Sequence, residues 1–214
     1  MTDQATGTSL GELLGGRRGA VDASIPPAVF VFGWLLGGRS IGWGALAAVL
    51  AGAAVAIVRL SRGGRVTAAL AGVAAVAGGA LIALYTGRAQ DFFLIQLLSN
   101  VASALAWTVS ILIRWPLLGV VVGVLLGQKT RWRRDPDLLH AYGRASWVWV
   151  LAQYTVRVVV FGLLWWSGWV VALGVARVAL SWPLVAATIA ASAIVFRRAL
   201  PEGHPGLRHP RMRT

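Results

Sequence analysis

Residues 66–87 read VTAALAGVAAVAGGALIALYTG and contain no charged residue. A charge-free apolar run of about 18 or more residues is a transmembrane helix candidate, because it can cross a hydrocarbon core of roughly 30 Å. Residues 41–58 and 92–113 are also free of charge, and from 147 to 196 only Arg157 and Arg177 interrupt. With 57% hydrophobic residues and a formal net charge of +13, the chain as a whole would suit either a nucleic-acid binder or a membrane protein. The runs decide for the membrane, since the basic residues gather between them. Nucleic acid is therefore not expected as a partner.

The fold expected is all-α. It is a polytopic helical membrane protein with about six transmembrane helices plus a half-helix at 117–127, and both termini are cytoplasmic. Residues 1–24 form a cytoplasmic N-terminal tail, 25–196 the transmembrane domain, and 197–214 a basic cytoplasmic tail. Residues 1–18 are polar and glycine-rich, which suits disorder. Asp3, Glu12 and Asp22 precede any apolar segment, so the N-terminus does not read as a cleavable signal. Helices are expected at about 25–37, 41–60, 66–86, 91–113, 146–166 and 177–196, with 167–176 at the membrane interface. Pro26 and Pro27 suit a first turn, where a missing N–H has no partner to lose.

Residues 117–127 are too few to cross. At 1.5 Å per residue they span about 16 Å, half of what a bilayer core needs. Charge agrees with this count. With six spans, the outer side receives only Arg39 and Arg88, and Arg157 and Arg177 lie within or beside helices. Every other basic residue falls inside, as the positive-inside rule expects. A full span at 117–127 would place the cluster 129–144 outside. The multi-pass chain is accordingly expected in the plasma membrane.

Several patterns carry potential chemistry. Arg157 sits mid-span among Val156, Val158, Val159 and Val160. A central arginine costs roughly 2.5 to 3.5 kcal/mol on insertion scales, so it must face protein, water or an anion. Gln153 lies one turn before it on the same face. Gln96, Asn100, Ser103, Trp107, Ser110 and Arg114 follow at alternating four- and three-residue steps and make one helical face. That face reads either as interhelical hydrogen bonding or as the lining of a polar cavity. Arg177 is placed within snorkelling reach of the outer interface. Asp22 and Asp91 serve as helix-start charges or as counter-ions for membrane arginines. Gly33 and Gly37, and Gly119, Gly123 and Gly127, have the spacing that lets helices approach closely. Lys129, Arg131, Arg133 and Arg134 flank a span and suit contact with anionic lipid headgroups. Trp107 and Trp149 lie deeper than the interfacial tryptophans.

Enzyme chemistry is not expected. Cysteine is absent, which removes disulfides, thiol nucleophiles and cysteine-based metal sites. His140, His204 and His209 lack ligand spacing, and no paired carboxylates or Ser/His/Asp set stands out. No cofactor and no metal are expected.

A resemblance adds to this reading. Gly37-Gly38-Arg39-Ser40, the stretch from Leu84 to Phe93 (LYTGRAQDFF), Arg114-Trp115-Pro116-Leu117, Trp132-Arg133-Arg134, Ala145-Ser146-Trp147 and Arg198-Ala199-Leu200-Pro201 carry it. Over about 17–201 the chain resembles an actinobacterial family of membrane proteins of unknown function. That family is in turn similar to intracellular septation protein A, a small inner-membrane protein. The resemblance implies a non-enzymatic part in division or envelope synthesis through membrane partners, and it carries over no catalytic residue. Two functions stay open. One is a scaffold or regulator of envelope, division or transport machinery, with a membrane protein partner or as a homo-oligomer. The other is a small transporter or channel component for an anion, lipid or ion, built around Arg157.

Overall fold

The computed structural model describes residues 16–128, 130–201 and 205. Residues 1–15, Lys129 and most of the basic tail lie outside the described residues, so the disorder expected for the N-terminus falls largely outside them. Among the described residues there is no strand. In chain order the helices are α1 (Gly16–Leu36), α2 (Ile41–Ser61), α3 (Val66–Thr86), α4 (Leu94–Leu112), α5 (Leu117–Leu125), α6 (Pro136–Val148), α7 (Val156–Trp166), α8 (Val170–Ala179) and α9 (Trp182–Ala199). A 3-10 turn, Ala89–Phe93, leads into α4, another covers Arg131–Arg134, and a π-helical segment, Trp149–Thr155, joins α6 to α7.

Five stretches are long and apolar enough to cross a membrane: Ile41–Ser61, Val66–Thr86, Ala89–Leu112, Pro136–Trp166 and Trp182–Ala199. Val21–Leu36 and Val170–Ala179 are shorter apolar helices. Large apolar side chains such as Leu36, Tyr85 and Trp166 are exposed along these helices, as lipid contact requires and water does not favour. The architecture is that of a multi-pass helical membrane protein.

Three boundaries differ from the sequence expectation. The first helix starts at Gly16, ahead of the start expected near residue 25, and Pro26 and Pro27 lie inside it. Interior prolines leave the carbonyls of Asp22 and Ala23 without their usual N–H partners. The helix expected at 146 begins ten residues earlier. Asp135 caps it, accepting from the N–H groups of Asp137 and Leu138 at 3.1 and 3.3 Å, with Pro136 in the first turn. The interfacial stretch at 167–176 and the helix at 177–196 are instead two helices, α8 and α9, which puts Arg177 in the last turn of α8. The helix break at Leu180 and Ser181 is set by the Trp182-Pro183 start of α9. The short helix within 117–127 is present as the nine residues of α5.

The chain divides into two compact units: Met1–Ile95 with Leu163–Trp182, and Gln96–Gly162 with Pro183–Thr214. In the first unit, short loops make α1, α2 and α3 consecutive neighbours, and α8 packs on α1. Small residues permit this closeness. A Cβ on Gly33 would meet Ala47 at 2.8 Å, and one on Gly174 would meet Val31 at 2.8 Å. The centre is aromatic: Phe30 stacks on Phe92 at 4.0 Å, and Phe93 meets both rings edge-on. In the second unit, Trp132, Leu138, Ala141, Tyr142, Ala145 and Phe196 form a buried cluster under α5. The Trp132 ring fills the space that a side chain at Gly119 would need, 2.8 Å away.

Candidate functional site

The second unit contains a polar seam along the continuous helix 136–166. Tyr142, Ser146, Trp149, Gln153 and Arg157 recur at three- or four-residue steps and so share a face. Ser146 and Gln153 are buried, at 0% and 4% exposure. Opposite them, α9 turns Thr188, Ser192 and Phe196 inward. The Thr188 hydroxyl donates to the Leu184 carbonyl at 2.8 Å and lies 3.4 Å from Gln153 Oε1. Ser192 Oγ lies 3.5 Å from the Ala145 carbonyl, and Phe196 packs on Tyr142 with ring centroids 4.9 Å apart. These pairings run in opposite senses along the two helices, so α9 lies antiparallel to the helix it faces.

The seam is under-satisfied. Tyr142 Oη, Ser146 Oγ and Trp149 Nε1, together with Asn100 Nδ2 on α4, are buried and meet no hydrogen-bond partner. Leaving one such group unpaired costs about 1–3 kcal/mol. The π segment runs through the middle of this face. Its wider turns let the Thr155 hydroxyl reach the Val150 carbonyl, five residues back, at 2.9 Å. Such segments recur at functional sites because they re-aim side chains within an otherwise regular helix.

An aromatic cluster adjoins the segment. Trp107 stacks on Trp149 at 5.2 Å and lies 6.0 Å from Tyr154. Tyr154 is the electrostatic neighbour of Arg157, which is half-buried. Of the predicted stripe on α4, Asn100 and Ser110 are buried, Gln96, Ser103 and Trp107 half-buried, and Arg114 exposed. Ser110 has a local task. Its hydroxyl donates to the Trp107 carbonyl at 2.6 Å and accepts from the Leu117 N–H at 3.2 Å, closing the turn between α4 and α5.

The remaining predicted residues lie elsewhere. In the first unit Asp22 pairs with Arg59 at 3.1 Å, an arginine at the end of α2. Asp91, 3% exposed, accepts from Trp165 Nε1 at 2.8 Å, and Arg88 lies over that indole ring. Arg177, at the C-terminal end of α8, suits the helix dipole. Arg131, Arg133 and Arg134 are exposed on their 3-10 turn, and Lys129 lies outside the described residues. Thr188, Ser192, Ser146 and Tyr154 escape a reading of the sequence. The i, i+4 pair Thr188 and Ser192 is the signal that marks α9 as having a polar inner face. Among the described residues no group of three or more His, Asp or Glu is placed to hold a metal ion.

No curated protein and no solved structure matches the chain. Residues 14–203 match the family described as Protein of unknown function (DUF3159), so the chain belongs to that family of uncharacterised proteins.

Proposed function

We propose that this is a non-enzymatic protein of the plasma membrane, with six crossings and cytoplasmic termini, that works as a small transporter or channel component. Arg157 makes an anionic group the ligand, whether carried by a solute or by a lipid. The observation that carries this reading is the polar seam: buried side-chain polar atoms of Tyr142, Ser146 and Trp149 without a hydrogen-bond partner, and a π segment that runs from Trp149 toward Arg157. A scaffold gains nothing from leaving such groups unpaired, whereas a path for a polar species needs them. Short helices such as α5 and α8 accord with this, because broken helices build substrate sites in transporters.

The test is uptake of chloride and of inorganic phosphate into vesicles holding the purified protein. Uptake above protein-free vesicles is expected, falling at least tenfold in Gln153→Leu and in Arg157→Leu at equal reconstituted amounts. Wild-type vesicles no faster than empty ones for either anion would sink the reading.

A second reading is a scaffold or regulator of envelope, division or transport machinery, in line with the resemblance to septation protein A. It is favoured by the first turns of α3, where Ala68, Ala71, Gly72 and Ala75 are exposed, and a Cβ at Gly72 would meet nothing within 4 Å. A stripe of small residues lets another transmembrane helix approach closely. A membrane protein that co-purifies with the wild type and with Arg157→Leu, but not with Gly72→Leu, would establish it.

A further inference from the structure

Two cavities adjoin in the second unit, of about 480 and 410 Å³, and both are lined by Arg114 and Leu139. The larger is lined by Arg114, His140 and Arg144 together with the apolar Ile111, Leu139 and Trp147. The smaller adds Arg133 and Arg134. No described carboxylate pairs with Arg114, Arg133, Arg134 or Arg144. Asp135 is fully buried as the cap of α6, and Asp137 is half-buried in its first turn.

Arg114 is also held in an unusual backbone state. Its φ is +59°, one of two positive values among the described non-glycine residues. It is the second residue past α4, where Trp115 N–H bonds back to the Ser110 carbonyl and Arg114 N–H to the Ile111 carbonyl. Glycine is the usual residue at such a helix end, because a left-handed conformation costs other residues about 1–2 kcal/mol. Here the backbone conformation aims a long cation into the cavities. Arg133 is fixed beside it, donating from Nε to the Arg114 carbonyl at 3.4 Å, with its guanidinium 4.3 Å from the Trp115 ring. Pro116 and Pro136 stiffen the wall. General surface basicity explains why arginines gather here. It does not explain a concave arrangement, a strained arginine where glycine is easier, or the apolar side chains that share the lining with the charges.

We infer that these joined cavities bind the phosphate headgroup of an anionic phospholipid, with Arg114 and Arg144 on the phosphate and Ile111, Leu139 and Trp147 against the start of the acyl chains. The site lies where the stretch Ala89–Leu112 ends and Pro136–Trp166 begins, the level at which a headgroup sits. It is independent of the seam around Gln153 and Arg157.

The experiment is lipid binding by the purified full-length protein in detergent, read by native mass spectrometry and by thermal shift. The probes are phosphatidylglycerol, phosphatidylcholine and inorganic phosphate. Phosphatidylglycerol is expected to bind more tightly than phosphatidylcholine. Arg114→Gly should weaken it about fivefold, the weight of one basic residue at an anionic surface. Glycine suits the backbone there, so this variant should keep or raise its thermal midpoint without lipid. Arg144→Gln should act likewise on binding. Arg131→Gln, on the same turn as Arg133 but outside both cavities, should leave it unchanged. Equal weakening by Arg131→Gln would overturn the site in favour of diffuse charge. Binding of inorganic phosphate as tight as that of the lipid would overturn the lipid and its apolar contacts.

Discussion

Asp91 and Trp165 show how one pair of residues is fixed at long sequence distance. Asp91 opens a span, where its charge suits the helix dipole, and that much can be read from its position. Its burial cannot. The indole N–H that reaches it belongs to Trp165, 74 residues further along the chain. A buried carboxylate that loses a partner retains its desolvation cost, so the change is larger than the bond's net worth. Trp165→Phe keeps an aromatic ring and removes the donor. It is expected to cost about 1.5–3 kcal/mol, as hydrogen bonds to charged groups do, and to lower the thermal midpoint in detergent by several degrees. Asp91→Asn combined with Trp165→Phe should lose less than the two changes added together. Strict additivity would show that the contact carries no stability.

At the scale of the element, the π segment Trp149–Thr155 is the least legible feature in the sequence. Every residue in it is compatible with an ordinary helix, and the widened hydrogen-bond pattern leaves no mark on composition. Span lengths were legible because a bilayer core imposes a minimum run. So was the shortness of α5, for the same reason. The start of the long helix at Pro136 was hidden by polar first turns, although Asp135-Pro136 is a sound cap signal. Thr188 could not be paired with Gln153 in advance, since periodicity tells which residues share a face but not which helix that face meets. The segment behaves physically as a helix with one residue too many. Deleting exposed Leu151 should therefore let it settle as α-helix while both flanks keep their faces. Monodisperse protein is expected on size exclusion, with a thermal midpoint within a few degrees of wild type and anion uptake lost. Deleting exposed Val159 from regular α7 instead rotates the remainder of that helix by about 100°, turning buried Phe161 outward, and should abolish monodisperse protein. Equal damage from the two deletions would mean that packing itself requires the π geometry.

For the whole molecule, charge and helix length make separate demands on topology, and the proposed six crossings satisfy both. The turn 61–65 and the stretch 130–134 are basic, whereas the connections near Ser40, Thr86 and Ser167 carry little positive charge. The positive-inside rule therefore puts the first pair on one side and the last three on the other. In the proposed topology α5, too short to cross, returns to the side it left. The chain has no cysteine, so single introduced thiols can be labelled without background. In intact cells a membrane-impermeant maleimide should label Ser40→Cys, Thr86→Cys and Ser167→Cys. Ser61→Cys and Thr130→Cys should react only after the membrane is opened. Thr130→Cys is the discriminating position. Labelling there from outside would make α5 part of a crossing and invert every later connection. It would also set the Arg114, Arg133 and Arg144 surface against the rule that otherwise accounts for the distribution of basic residues along the chain.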